Sequence, residues 1–326
     1  MRRSLLAVSI LAVLMAACGA GCPRSLSRYT PAGPPVLPTT ASLDDVMRAV
    51  NNNSARVQSL YSDDATISSP GMPSLRATVA LERPKRLRVR AETAITGTEV
   101  DLGSNDQLFW VWMKRMQPPS VLVCRHDQFA SSVARQMLPV QPEWLFEALG
   151  AATFDPAEQH TGPTPVRGGR LEVRTARQTP DGPQTKITVL DASSAWVLEQ
   201  HLYDARGTRI ASVITSQQWR DPVTGAVVPR QIELQMPASQ FSLTLSMKTV
   251  QLNGIGASPG PLFDLPSYPN SPVVDLADPR LQGPAAPAAS PSTASAPSPY
   301  GRPSPYGAPS GYRAAPTRAA LPGSRY

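Results

Sequence analysis

Two long stretches of this chain, residues 64–126 and 169–253, are built from short alternating apolar segments broken every few residues by turn formers. The first holds DATIS (64–68), LRATVALE (75–82), RLRVRAET (86–93), TEVDLG (98–103), QLFWVWMKR (107–115) and PSVLVCRH (119–126), separated by SPGMP, RPK, AITG, SND and MQPP. The second holds GRLEVRTAR (169–177), TKITVLDA (185–192), WVLEQHLYD (196–204), TRIASVITS (208–216), RQIELQM (230–236) and FSLTLSMKTVQLN (241–253). PDGP, DARG and DPVTG mark several of the breaks. A period of two sends successive side chains to opposite faces of a strand. Breaks this short leave no room for crossover helices, so neighbouring strands pair antiparallel. The count comes to roughly eleven or twelve strands. So many antiparallel strands in succession must curl or close, because a flat sheet leaves long unpaired edges.

Two helices interrupt the β rhythm. Leu43, Val46, Met47, Val50, Val57 and Leu60 recur at helical spacing, with Ser54 as a small member. Ser42 with Asp45 three residues on resembles a capping box, and Asp44 and Asp45 suit the positive end of the helix dipole. Asn51, Asn52 and Asn53 form a weak point where this helix is expected to bend or fray. The second helix is VQPEWLFEALG (140–150). Pro142 opens it, Trp144, Leu145, Phe146 and Leu149 give it an apolar side, and Gly150 stops it.

The ends have a different character. Arg2 and Arg3 precede an apolar run, Leu5–Ala17, which is shorter than the about 20 residues a spanning helix needs and fits the core of a cleaved secretion signal. Ala16 and Ala17 lead directly into Cys18. This resembles the lipobox of bacterial lipoproteins, with Met15 standing where Leu is usual. The resemblance implies that residues 1–17 are removed and that Cys18 is acylated and becomes the mature N-terminus. Residues 18–41 are then a Pro/Ser/Thr-rich tether, 42–278 the globular domain, and 279–326 a Pro/Ala/Ser/Tyr tail, disordered by composition. The tail holds Arg280, Arg302, Arg313, Arg318 and Arg325 and no acidic residue. It therefore supplies most of the net charge of +7 and leaves the body nearly balanced. A neutral exported body argues against nucleic acid, and an anionic envelope polymer is the better partner for such a tail. Tyr300, Tyr306 and Tyr312 recur every six residues within it. With Cys18 lipidated, Cys22 and Cys124 remain, too few for a disulfide framework, and no CxxC or His/Cys cluster points to a metal or a cofactor.

The order of elements resembles the LolA/LolB superfamily of outer-membrane lipoprotein carriers and receptors over about residues 42–268. The likeness lies in a helix after the N-terminus, Arg83-Pro84 through Arg88 ahead of Asp106 through Trp110 and Trp112, the helix near PEWLFEAL, and the closing phrase LFDLP (262–266). It implies a mainly β fold, a half-open antiparallel β-barrel of about 11 strands with helices covering the concave face. It also implies an apolar cavity that holds acyl chains of lipoproteins or other lipids. In the receptor branch an exposed apolar residue on a hairpin loop meets the membrane, and RAETAITGTEVDL carries that role onto Ile95. In the carrier branch an arginine on an early strand latches the lid, which points to Arg86, Arg88 or Arg90, and the same side chains could meet anionic head groups. This chain departs from both branches: carriers are not lipidated, and receptors lack such a tail.

A half-barrel wide enough that its side chains do not fill it leaves room beneath the helices. Leu87 and Val89 alternate with the three arginines and face inward. On the fifth strand Phe109, Val111 and Met113 point one way and Leu108, Trp110 and Trp112 the other, so one set should face the cavity. Leu122 with Cys124, or Val121 with Val123, would continue it. Trp144 and Phe146 belong to the lid. His126, His160 and His201 sit in no nucleophile or metal motif, and Asp63-Asp64 lie side by side at a strand start, so the chain does not read as an enzyme. Two functions remain: a lipoprotein anchored in the envelope, outer membrane facing the periplasm, that binds acylated ligands, or a structural lipoprotein using the same scaffold for contacts. Room for an alkyl chain separates them.

Overall fold

The computed structural model describes residues 35–137, 143–179, 182–256 and 260–281. Cys18, Cys22, Pro142 and the tail beyond Leu281, with the expectations placed on them, lie outside the described residues.

Helix α1 (Leu43–Ala55) opens the domain. Its capping box is formed: Asp45 N–H donates to Ser42 Oγ, and Ser42 N–H donates to the Asp45 carboxylate. The helix ends earlier than its apolar spacing suggests, so Val57 falls in the connection beyond it and Leu60 in the first strand. The asparagines anchor its last turns. Asn51 exchanges two hydrogen bonds with the backbone of Phe154, and Asn53 exchanges two with Val227. These amides pair like short strands with neighbouring segments, fixing the helix where fraying was expected.

Six strands come next: β1 (Ser59–Ser68), β2 (Leu75–Glu82), β3 (Arg86–Thr93), β4 (Gly97–Ser104), β5 (Leu108–Met113) and β6 (Val121–Arg125). A helical passage then contains a 3₁₀ segment (His126–Ser131), α2 (Ala134–Met137), α3 (Glu143–Phe146) and a wide turn (Glu147–Ala151). Gly150 sits in that turn at φ 105°, against Val228 and Pro229, where a side chain has neither the conformation nor the space. Beyond it lie β7 (Gln159–Val166), β8 (Arg170–Thr179), β9 (Gly182–Asp191), β10 (Val197–Tyr203), β11 (Arg209–Arg220), β12 (Val227–Met236) and β13 (Phe241–Met247), then β14 (Gln251–Leu252) and β15 (Val273–Asp275).

All fifteen strands form one sheet, in the order β15-β6-β5-β4-β3-β2-β1-β13-β12-β11-β10-β9-β8-β7, with β14 also on β1. The pairings are antiparallel apart from the parallel β15–β6 contact. Edges β15 and β7 do not meet, so the mainly β fold is a half-open barrel. Two strands, β7 and β15, go beyond the expected set, and the expected segment 241–253 is divided into β13 and β14. β7 runs through Gly162, Pro163 and Pro165, which mask a strand in sequence and suit an edge, where missing N–H donors cost nothing. β15, with three residues, is too short to show a period.

Register decides the faces. Leu81–Leu87, Val79–Val89 and Ala77–Ala91 pair across β2 and β3, and Val89 pairs Leu102, which pairs Val111. This inner face packs against Trp144, Phe146, Ala148 and Leu149 in the main core. A second cluster joins Val46 and Val50 of α1 to Leu171, Val173 and Leu190. On the outer face Trp110 lies flat over Gly103, where an added Cβ would fall 2.2 Å from the ring. Gly103→Ala must displace this buried indole, and overpacking of that kind costs about 1–3 kcal/mol. A fall in Tm of roughly 2–4 °C per kcal/mol is expected by thermal melting.

Candidate functional site

Beneath the helical passage the inner face is closely packed. Leu87, Val89, Trp144 and Phe146 are all buried in one cluster. The space beside it, lined by Val50, Glu147, Gln200, Thr215 and Val228, measures about 30 Å³. That holds a water or two but no alkyl chain. The four residues expected to border a cavity there act as core.

Predominantly apolar room lies at one end of the sheet. An apolar groove of about 240 Å³ opens between the β1–β2, β3–β4 and β5–β6 turns, lined chiefly by Met72, Pro73, Leu75, Val100, Met113 and Met116. Of the side chains expected to line a cavity, Met113 borders this groove. Its floor continues along the inner face through Ile67, Val100, Leu102 and Leu243, which the helices leave only partly covered. Val111 lies on the same face and is also partly covered. Glu99 stands at the groove wall. The Thr96 hydroxyl that donates to it holds its carboxyl below the usual range, with Lys114 (3.5 Å) and Arg115 (3.7 Å) adding to the effect. It is ionised and paired with Lys114 and with Arg115, which also lines the groove alongside Thr93.

Ile95 is the tip of the β3–β4 turn beside this groove and is 94% exposed. Thr96 N–H donates to Thr93 Oγ1 at 2.9 Å, and Gly97 takes a φ of 73°, which shapes the turn with its isoleucine outward. Met72, Met113 and Phe241, at the same ends of their strands, are also exposed.

Trp110 and Trp112 do not share a cavity with Val89. Alternation along β5 sends both to the outer face, where they pack with Val121, Val123, Leu265 and Tyr268. Tyr268 stacks on Trp112 with ring centroids 3.7 Å apart and planes at 6°. Phe109 joins a separate cluster with Cys124, Phe129 and Leu276. The three arginines also lie on this outer face and already have carboxylate partners. Arg88 donates to both oxygens of the fully buried Asp101, at 3.2 and 2.7 Å, and to the carbonyl of Leu262. Asp101 also accepts from Trp110 Nε1 and from the Tyr268 hydroxyl at 2.6 Å. Burial, with the Asp101 carboxylate second, pushes the Tyr268 phenol upward, so it remains a donor. Arg86 pairs with Asp106 at 2.6 Å, and Arg90 donates to Thr98 Oγ1. They fasten the C-terminal segment and the turns, which leaves little cation for a head group.

One charged cluster was not foreseen. Lys186, 1% exposed on the inner face, donates to Glu147 Oε2 at 2.7 Å. Arg177 reaches both Glu147 (3.2 Å) and Glu158 (2.6 Å). Burial lowers the Lys186 pKa, and Glu147 offsets part of that shift. The signal lay in TKITVLDA, where Lys186 has the same parity as Thr188 and Leu190. His201 bridges Ser212 Oγ (2.8 Å) and Glu199 (3.1 Å), but Ser212 is 2% exposed and offers no approach to a substrate.

No family model matches the chain, and no curated protein matches it. Solved structures of similar architecture include a DUF1329 family protein from Desulfovibrio piger, 12% identical with a TM-score of 0.45, covering 66% of this chain and 96% of that one. Another is an outer membrane lipoprotein-sorting protein domain from Vibrio parahaemolyticus, 10% identical, TM-score 0.46, covering 65% and 94%. A LolA superfamily protein from Nitrosomonas europaea is 11% identical, TM-score 0.40, covering 64% and 94%. The structural neighbours of this half-open sheet include DUF1329 and LolA superfamily proteins.

Proposed function

We propose that the chain is a lipoprotein of the cell envelope, anchored through an acylated Cys18, that binds acyl chains of lipids or lipoproteins without performing chemistry on them. The observation that carries the reading is the apolar groove, 240 Å³ in volume, opening beside the exposed Ile95 tip and continuing onto the half-covered inner face. The volume is just under the roughly 300–1,000 Å³ of ordinary ligand pockets, which suits part of a chain, with the rest lying along Ile67, Leu102 and Leu243. Each methylene withdrawn from water contributes about 0.8 kcal/mol, so no polar group is required. Ile95 is the residue that meets the membrane or the incoming ligand. The setting that fits is the outer membrane facing the periplasm.

The purified full chain should bind a fluorescent fatty acid saturably. Met113→Glu places a charge in the groove wall and should weaken binding by about tenfold or more. Ile95→Glu should slow transfer to or from vesicles. Stability should change by no more than about 0.5 kcal/mol for Ile95→Glu, because the side chain is exposed. Unchanged binding in the Met113 variant removes the groove from the account, and unchanged transfer in the Ile95 variant removes the hairpin.

A further inference from the structure

The chain enters the domain at one end and carries exposed apolar tips at the other. Val36 and Leu37 donate their backbone N–H groups to Ser193 O, at 2.8 and 3.0 Å, in the β9–β10 turn. Helix α1 gathers this end of the sheet: Val46 and Val50 pack with Leu171 and Leu190, Asn53 pairs with Val227, and Ser54 accepts from Arg83 of the β2–β3 turn. The opposite ends of the same strands hold Met72, Ile95 and Phe241, with Met113 beside them. β3 has eight residues and β12 ten, so the two ends stand about 27–33 Å apart.

The turns and strand ends on this side hold more cations than carboxylates. Arg76, Lys114, Arg115, Arg206 and Arg209 lie at this end against Glu92, Glu99 and Asp204. Glu99 is paired with Lys114 and Arg115, and Asp204 accepts from backbone N–H groups of its own turn. Apolar side chains among excess cations complement the head-group layer of an anionic bilayer. A second copy of the chain would bring the same cations against them.

We infer that this rim docks end-on to the anionic bilayer that holds the Cys18 lipid, and that the tether acts as a ruler. The inference rests on the acylation of Cys18 proposed above. With the rim on the bilayer, the tether must run back along the height of the domain to reach Val36. From Cys18 to Val36 there are eighteen Cα steps, which span at most about 60 Å, ample for that path. Deleting residues 23–34 leaves six steps, at most about 20 Å, which is too short.

The test places the lipidated full chain in vesicles containing phosphatidylglycerol and bromolipid quencher. A fluorophore is attached at Ser74→Cys in the rim or at Ala55→Cys near the C-terminus of α1, each in a Cys22→Ser background. The label at 74 should be quenched and the label at 55 should not. Deleting 23–34 should remove the quenching at 74, and twelve Gly/Ser residues in their place should restore it. Met72→Glu with Ile95→Glu should reduce it roughly tenfold. The α1 end also bears an exposed Val223, so quenching at 55 and not at 74 would establish the reverse orientation and overturn the proposal. Quenching at 74 that survives the deletion, or that rises with protein density through copy–copy contact, also overturns it. Fatty-acid binding by the same preparations is read separately. Its loss with quenching intact defeats the ligand-binding reading and leaves the docking standing.

Discussion

Asp101→Ala is expected to lower the stability of the domain by about 3–5 kcal/mol, the cost of leaving a buried charge without its partner. The carboxylate is fully buried and accepts from Arg88, Trp110 and Tyr268. Its removal strands the Arg88 guanidinium, which is mostly buried, and orphans the indole N–H. It also releases the tyrosine that pins the C-terminal segment to the outer face. Urea unfolding checks the size of the effect. Tyr268→Phe gives the comparison, since it removes one hydrogen bond and retains the stack on Trp112, a loss of about 1–2 kcal/mol. A loss below about 1 kcal/mol for Asp101→Ala would show that the outer face does not depend on this cluster.

The second large effect is expected at Glu147. Glu147→Ala leaves Lys186 buried with its nearest carboxylate gone, again a cost of about 3–5 kcal/mol near neutral pH. The pH dependence gives a signature. Burial already holds the folded-state pKa of Lys186 below its unfolded value, and Glu147 works against that shift. The folded state therefore resists the charged form, and this penalty is fully present below the folded pKa. It is relieved as pH rises through the folded pKa toward the unfolded one. Without Glu147 the depression is greater, so the deficit of the variant should narrow as pH is raised. A deficit independent of pH would assign the loss to packing of the wide turn instead.

The strands were legible because their alternation is regular and their breaks are dense in Gly, Pro and Asp. Capping of α1 was legible for the same local reason: Ser42 and Asp45 act over one turn. Features set by distant partners were not. The Asn51–Asn53 run looked like a defect because Phe154 and Val227 are more than a hundred residues away. The β5 alternation correctly separated two sets of side chains, but only pairing with Leu102 on one side and Gly103 on the other shows which set is inward. Arg86, Arg88 and Arg90 looked available because their acceptors, Asp106 and Asp101, lie in the next strand and turn. The groove was hidden most thoroughly. Its walls come from three separate turns, and Met72 and Met116 sit in segments that read as breaks. The space beneath the helices expected of a half-barrel is filled by Trp144 and Phe146, and the apolar groove lies instead among the turns at one end of β1–β6.

The most direct test of that relocation is photo-crosslinking of the full chain with a diazirine-bearing palmitate, mapped by peptide mass spectrometry. Saturable labelling confined to the peptides containing Met72, Met113 and Met116, displaced by unlabelled palmitate and lost in Met113→Glu, is the expected result. Labelling that does not saturate, or that falls elsewhere on the domain while this end remains unmodified, would contradict acyl-chain binding at the groove.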